Sequence, residues 1–131
     1  MRRARDVGSV TAAMVLMIVV VLGGAGLIVD GGRAMSARRH ASNTAEAAAR
    51  AAVSTATPIS GIDPDRARSA AIDHAMRAGV AVADVEVVVG TDSVTVTVTE
   101  RRRTVFLVLG GQSTLTVNAS GTALAVYSEG D

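Results

Sequence analysis

The sequence predicts an α+β chain: a long N-terminal transmembrane helix extended outward, a second short helix, and then a small antiparallel sheet of three to four strands. Three observations carry that prediction. Residues Val7 to Val29 hold no charge and are apolar on every side. The stretch that follows, to Val53, is rich in Ala and free of Pro. Beyond Val85 the apolar repeat changes from the helical period of about 3.6 to the strand period of two.

As a helix rising about 1.5 Å per residue, residues 7–29 reach roughly 34 Å, enough to cross a hydrocarbon layer of about 30 Å. Their Leu, Ile and Val side chains favour insertion by a sum on the order of 5 kcal/mol before the glycines are discounted. A cleaved secretory signal has a shorter apolar core of about 7–15 residues. Here the run continues through Gly23, Gly24, Ala25 and Gly26 into Leu27, Ile28 and Val29, so an uncleaved anchor is expected. These glycines lie where phosphate does not reach, and they suit helix flexibility or close packing. Arg2, Arg3 and Arg5 flank one end and Arg33, Arg38 and Arg39 the other, which nearly balances the positive-inside rule. The basic tip, residues 1–6, is assigned to the cytoplasm because it is short and easily retained. The Thr/Val-rich remainder is assigned to the extracytoplasmic side.

Residues 30–56 read as an outward extension of the same helix, since Ala is the best helix former and no Pro interrupts it. Ala34, Ala41 and Ala48 recur every seven residues, and Ala45 and Ala52 join them in a small-residue stripe that lets another backbone approach closely. GC-rich codon bias would place the same alanines on an ordinary solvated helix, and the sequence leaves both readings open. Arg38, Arg39, Glu46 and Arg50 form the wet face in either case.

Residues 57–131 read as a small α+β domain. Thr57 to Gly61 breaks the first helix, and Asp63 and Pro64 start a second, with Asp63 as N-cap, Pro64 at the first helical position and Asp65 complementing the dipole. That helix is expected to run to about Ala78 and end at Gly79. Val85, Val87 and Val89 alternate before Gly90, and Val94, Val96 and Val98 alternate with Thr95, Thr97 and Thr99 after it, a hairpin pattern. Thr104 to Leu109 is a further short apolar segment, and a last strand starts at Thr114 and extends as far as Val126. The Val/Leu face of the sheet should be covered by helix. So small a domain without disulfides should lean on the first helix or on a partner subunit.

Composition closes off most chemistry. The 131 residues include no Cys and no Trp, one Phe and one Tyr, with a formal charge of +1. Disulfides, thiolate metal sites and Cys nucleophiles are excluded, and stacking-based recognition of nucleic acid is not expected. No catalytic set assembles, and no cofactor or metal is expected. His74 and His40 each stand alone, without a second ligand at helical spacing. Arg101, Arg102 and Arg103 read first as a solvated turn; the other reading is contact with an anionic surface such as lipid head groups, wall polymer or DNA. Asn118 to Ser120 matches a glycosylation sequon that has no meaning without the matching machinery.

From Asp6 to Ala52 the chain resembles the N-terminal signature of the TadE/TadG-like proteins of Flp (tight adherence) pilus systems. The residues that carry the resemblance are the basic tip, Arg5 to Thr11, the apolar helix, Val29-Asp-Gly-Gly-Arg-Ala34, and the Ala-rich segment Ala37 to Ala52 with Glu46 in the family's acidic place. The tail, Arg103 to Gly110 with Leu115 to Ala119 and Ala123, is similar to versions from high-GC Gram-positive bacteria. Processed members of the family are cut after a Gly, with Glu five residues into the mature chain. A cut between Gly8 and Ser9 would put Ala13 at that place, so the chain looks more like the TadG side, whose helix stays as an anchor.

The resemblance implies a non-enzymatic, membrane-anchored component of pilus assembly or a related secretion system. Its partners would be other pilus-assembly or pseudopilin-like membrane proteins, membrane lipid and further copies of itself, with the Ala stripe pairing with another subunit's helix. Two alternatives stay open: a pilin-like filament subunit processed at Gly8, and an envelope-anchored module that binds DNA or an anionic polymer through Arg101 to Arg103.

Overall fold

A computed structural model of the chain describes residues 3–126, with side chains from Gly8 onward. Met1 and Arg2 of the basic tip lie outside the described residues, as do the side chains of Arg3 and Arg5. The first element, helix α1, runs without a break over Arg3–Val53, 51 residues. At about 1.5 Å per residue that is roughly 75 Å, more than twice a membrane's hydrocarbon thickness.

The chain leaves α1 through local bonds that satisfy its last carbonyls. The hydroxyls of Ser54 and Thr55 donate to the carbonyls of Ala51 and Ala52, each at 2.7 Å. A tight turn follows in which Thr57 and Gly61 exchange backbone hydrogen bonds, with Gly61 at φ 68°, a conformation that favours glycine. Helix α2 spans Pro64–Arg77 and is capped as expected: the Asp63 carboxylate accepts from the Asp65 and Arg66 amides at 3.0 and 3.1 Å. Its far end closes in a Schellman turn. The Gly79 N–H donates to the Met76 carbonyl and the Val80 N–H to that of Ala75, with Gly79 at φ 88° and Val80 buried beneath it.

Three strands follow: β1 (Val85–Val89), β2 (Ser93–Arg103) and β3 (Thr114–Leu124), antiparallel in the order β1-β2-β3. Register pairs Val87 with Val96, and Val96 with Gly121. One face therefore carries Val85, Val87, Val89, Val94, Val96, Val98, Ala119 and Ala123, and this face is covered by α1 and α2. The other carries the Thr/Ser positions, with hydroxyl pairs Thr95–Thr122 and Thr97–Ser120 at 2.9 Å.

The core is thin and built from small groups on the helix side. Ala41, Ala45, Ala48, Ala49 and Ala52 of α1 and Ala67, Ala71 and Ala75 of α2 are fully buried against Val94, Val96 and Val98. Each fully buried Val contributes about 1.5–3 kcal/mol, while the alanines set how closely the layers approach. At Gly121 the approach has no room left: a Cβ there would lie 2.5 Å from the Cα of Glu46 and 2.7 Å from the carbonyl carbon of Ala45.

One expectation is corrected here. Arg101, Arg102 and Arg103 are not a turn but the last three residues of β2, paired with Thr116, Leu115 and Thr114. They remain in the sheet because β3 continues alongside them. The sheet has three of the three to four strands expected, since the chain from Thr104 to Leu109 leaves it and enters a 3-10 turn over Leu107–Gly110.

Candidate functional site

Helix α1 has two dissimilar halves. Up to Val29 its side chains touch almost nothing else in the chain: Val10, Leu16, Ile18, Val20 and Leu27 are all more than half exposed. Apolar groups this exposed over such a length need a non-aqueous environment, and the helix is long and apolar enough to cross a membrane. From Ala37 upward the helix instead forms one wall of the core.

The junction between the halves is Asp30, which is 4 % exposed. Its carboxylate accepts three backbone hydrogen bonds from the start of the β2–β3 loop: Val105 N–H at 3.0 Å on Oδ1, and Phe106 and Leu107 N–H at 3.0 and 2.9 Å on Oδ2. The amides of Val105 and Leu107 are the main cause that holds its pKa below the usual carboxylate value of 3.8; burial opposes them, and the Phe106 amide and the Arg33 guanidinium add to the lowering. Four residues down the helix, the Phe106 ring lies over Gly26, where any Cβ would overlap it. Gly26 is thus a seat for the ring, which gives one of the glycines in the apolar run its close-packing role.

Asp30 lies in the Val29 to Ala34 segment that carries the resemblance, but the sequence did not single it out as a site residue. Its signal was present all the same: it is the first charged residue after the uncharged run from Val7 to Val29. A carboxylate at that depth requires donors, and nothing in the sequence near it supplies them. They come from residues 75 to 77 positions away.

The residues that the sequence did single out fall in three places. Ala41, Ala45, Ala48 and Ala52 are fully buried inside this chain, and the backbone that comes close to them is its own, at Gly121 of β3; Ala34 is half-buried below them. Of the three arginines, Arg101 bonds Asp84 at 2.5 Å and Arg102 bonds Glu100 at 3.0 Å, while Arg103 has no carboxylate partner among the described residues. Gly8 and Ser9 lie exposed on α1.

His40 is not isolated: its Nδ1 contacts the buried Glu100 carboxylate, which Arg102 holds from the other side. With Asp84, Thr99 and the turn Ala78 to Ala81 they border an open groove of about 410 Å³. Every charged group named there has its counter-charge within reach, so the cluster ties α1 to the sheet. His74 is half-exposed on α2. Among the described residues no group of three or more His, Asp or Glu gathers as a metal site.

Residues 8–55 match the family model described as "Putative Flp pilus-assembly TadE/G-like". The matched segment is nearly coextensive with α1 from Gly8 onward, so it takes in the bare apolar half, Asp30 and the Ala stripe together. No curated protein and no solved structure matches the chain. The match and the apolar helix fit a membrane protein associated with Tad pili.

Proposed function

We propose that the chain is a single-pass, membrane-anchored and non-enzymatic component of a Flp/Tad-type pilus assembly or related secretion system, with its N-terminus in the cytoplasm and its α+β head outside. The observation that supports this most is the coincidence of the family match with a helix whose lower half is bare. A helix that hides its upper stripe in its own head and leaves the lower side chains exposed offers that lower half to lipid and to neighbouring transmembrane helices. Gly8 to Val29 is therefore the surface for helix–helix contacts, and the open Thr/Ser face of the sheet with Arg103 is the surface for head contacts.

The layout also favours a second reading, a pilin-like filament subunit, because a bare apolar helix of this length would pack against its copies in a filament core. That reading requires removal of residues 1–8, and with Ala13 in place of the family's Glu the permanent anchor is the preferred of the two. Deletion of the gene in the native host should abolish or strongly reduce surface Flp pili, with complementation restoring them. Unchanged piliation would refute the proposal. Intact-mass measurement of the protein from native membranes, with and without the prepilin peptidase, separates the two readings: full length in both strains supports the anchor, and peptidase-dependent loss of residues 1–8 supports the filament subunit.

A further inference from the structure

We propose that the β2–β3 loop, residues 104–113, is a second membrane contact, in which Val105, Val108 and Leu109 enter the lipid leaflet beside the end of the membrane helix while Asp30 holds the loop at that height. The inference rests on the reading of residues 7–29 as a membrane span.

Height is the first argument. The Phe106 ring sits on Gly26, about 6 Å nearer the membrane centre than Asp30 along the helix axis. From Val7 to Gly26 the helix rises about 29 Å, so the ring lies at the level where a hydrocarbon layer of about 30 Å ends. Beside that ring the loop turns outward an apolar surface: Leu109 is 86 % exposed, Val108 47 % and Val105 44 %. This surface is continuous, through Phe106 and Gly26, with the bare apolar half of α1.

The loop's backbone also suits a lipid interface. Entry into a lipid interface penalises every unpaired N–H, and here six are bonded: those of Val105, Phe106 and Leu107 to Asp30, Leu109 to the Phe106 carbonyl, Gly111 to that of Val108 and Gln112 to that of Leu107. Thr104 and Ser113 close the base with a 3.1 Å hydrogen bond. Arg33, one turn above Asp30, and Arg103, just before the loop, then stand at head-group height, where a long basic side chain reaches phosphate. Lipid, rather than another protein, is the occupant that suits an apolar tip with most of its backbone N–H groups bonded, set beside the chain's own anchor.

The sequence has no Cys, so single labels can be placed at will. Leu109→Cys and Val108→Cys, with Leu16→Cys as a bilayer control and the fully exposed Ile59→Cys as a water control, would carry a polarity-sensitive NBD fluorophore on the full chain in phosphatidylcholine/phosphatidylglycerol nanodiscs. Labels at 108 and 109 should emit at shorter wavelength than at 59, resist aqueous iodide, and be quenched by lipids with a doxyl group high on the acyl chain. Labels at 108 and 109 that behave like the one at 59, while position 16 is lipid-quenched, overturn the proposal. Absence of lipid quenching at 16 would instead overturn the membrane span, and this inference with it. Asp30→Asn should weaken lipid quenching at 109 and leave it unchanged at 16; no change at 109 would remove the holding role of Asp30.

Discussion

Asp30 and Gly121 each do what no other residue type at their position could. Asp30 is a short carboxylate with two oxygens for three donors. Asn keeps the size but offers one acceptor oxygen and places an NH₂ against an N–H, so Asp30→Asn should speed hydrogen exchange at Val105, Phe106 and Leu107 while α2 amides stay as protected as before. The pH dependence has a definite sign. The docked carboxylate binds its proton less readily than the free one, so its contribution is complete above the ordinary value of 3.8 and is lost as pH falls below that value toward the lowered one. Protection of these three amides, taken relative to their unstructured exchange rates at the same pH, should therefore fall on acidification below about pH 4 in the native chain and not in Asp30→Asn. Gly121→Val places a branched side chain against backbone atoms of α1 at Ala45 and Glu46 that have no freedom to withdraw; overpacking costs about 1–3 kcal/mol, and thermal unfolding in detergent should show the head destabilised by at least that.

At the scale of elements, how well each was legible depended on how local its cause was. The apolar helix, the Asp63 cap with its Pro64 start, the Gly79 stop and the Val/Thr alternation of β1 and β2 are short-range signals, and each appears where its residues place it. Asp63→Ala should cost about 1 kcal/mol, read as a lowered unfolding midpoint. Thr104 to Leu109 was legible as a short apolar segment, but its 3-10 turn was not, because that conformation is set by a carboxylate far away in sequence. Arg101 to Arg103 was misread as a turn because local charge density outweighed pairing with a β3 that begins eleven residues further on. The Ala stripe was legible as a packing surface, but a 3.6-residue period does not say whose backbone will use it. Since Gly121 and β2 fill that role, Ala48→Leu should destabilise the isolated head by about 1–3 kcal/mol, measurable by thermal unfolding without any partner present.

Taken as a whole, the molecule is one helix that serves two solvents. Its upper half belongs to an α+β head with a thin Ala/Val core that would not hold without it, and its lower half is bare and apolar over a membrane's thickness. Asp30 marks the boundary between the two halves and fixes the β2–β3 loop against the helix there. The head is accordingly joined to the apolar half of α1 by an unbroken helix. Under the proposed function the bare half of α1 is then the surface that finds partners. Site-specific photocross-linking from Leu16 in native membranes tests that claim most directly. Leu16 should give adducts with other Tad pilus-assembly membrane proteins or with further copies of the chain, and a probe at the buried Ala45 should give none. Protein adducts from Ala45 but not from Leu16 would contradict it.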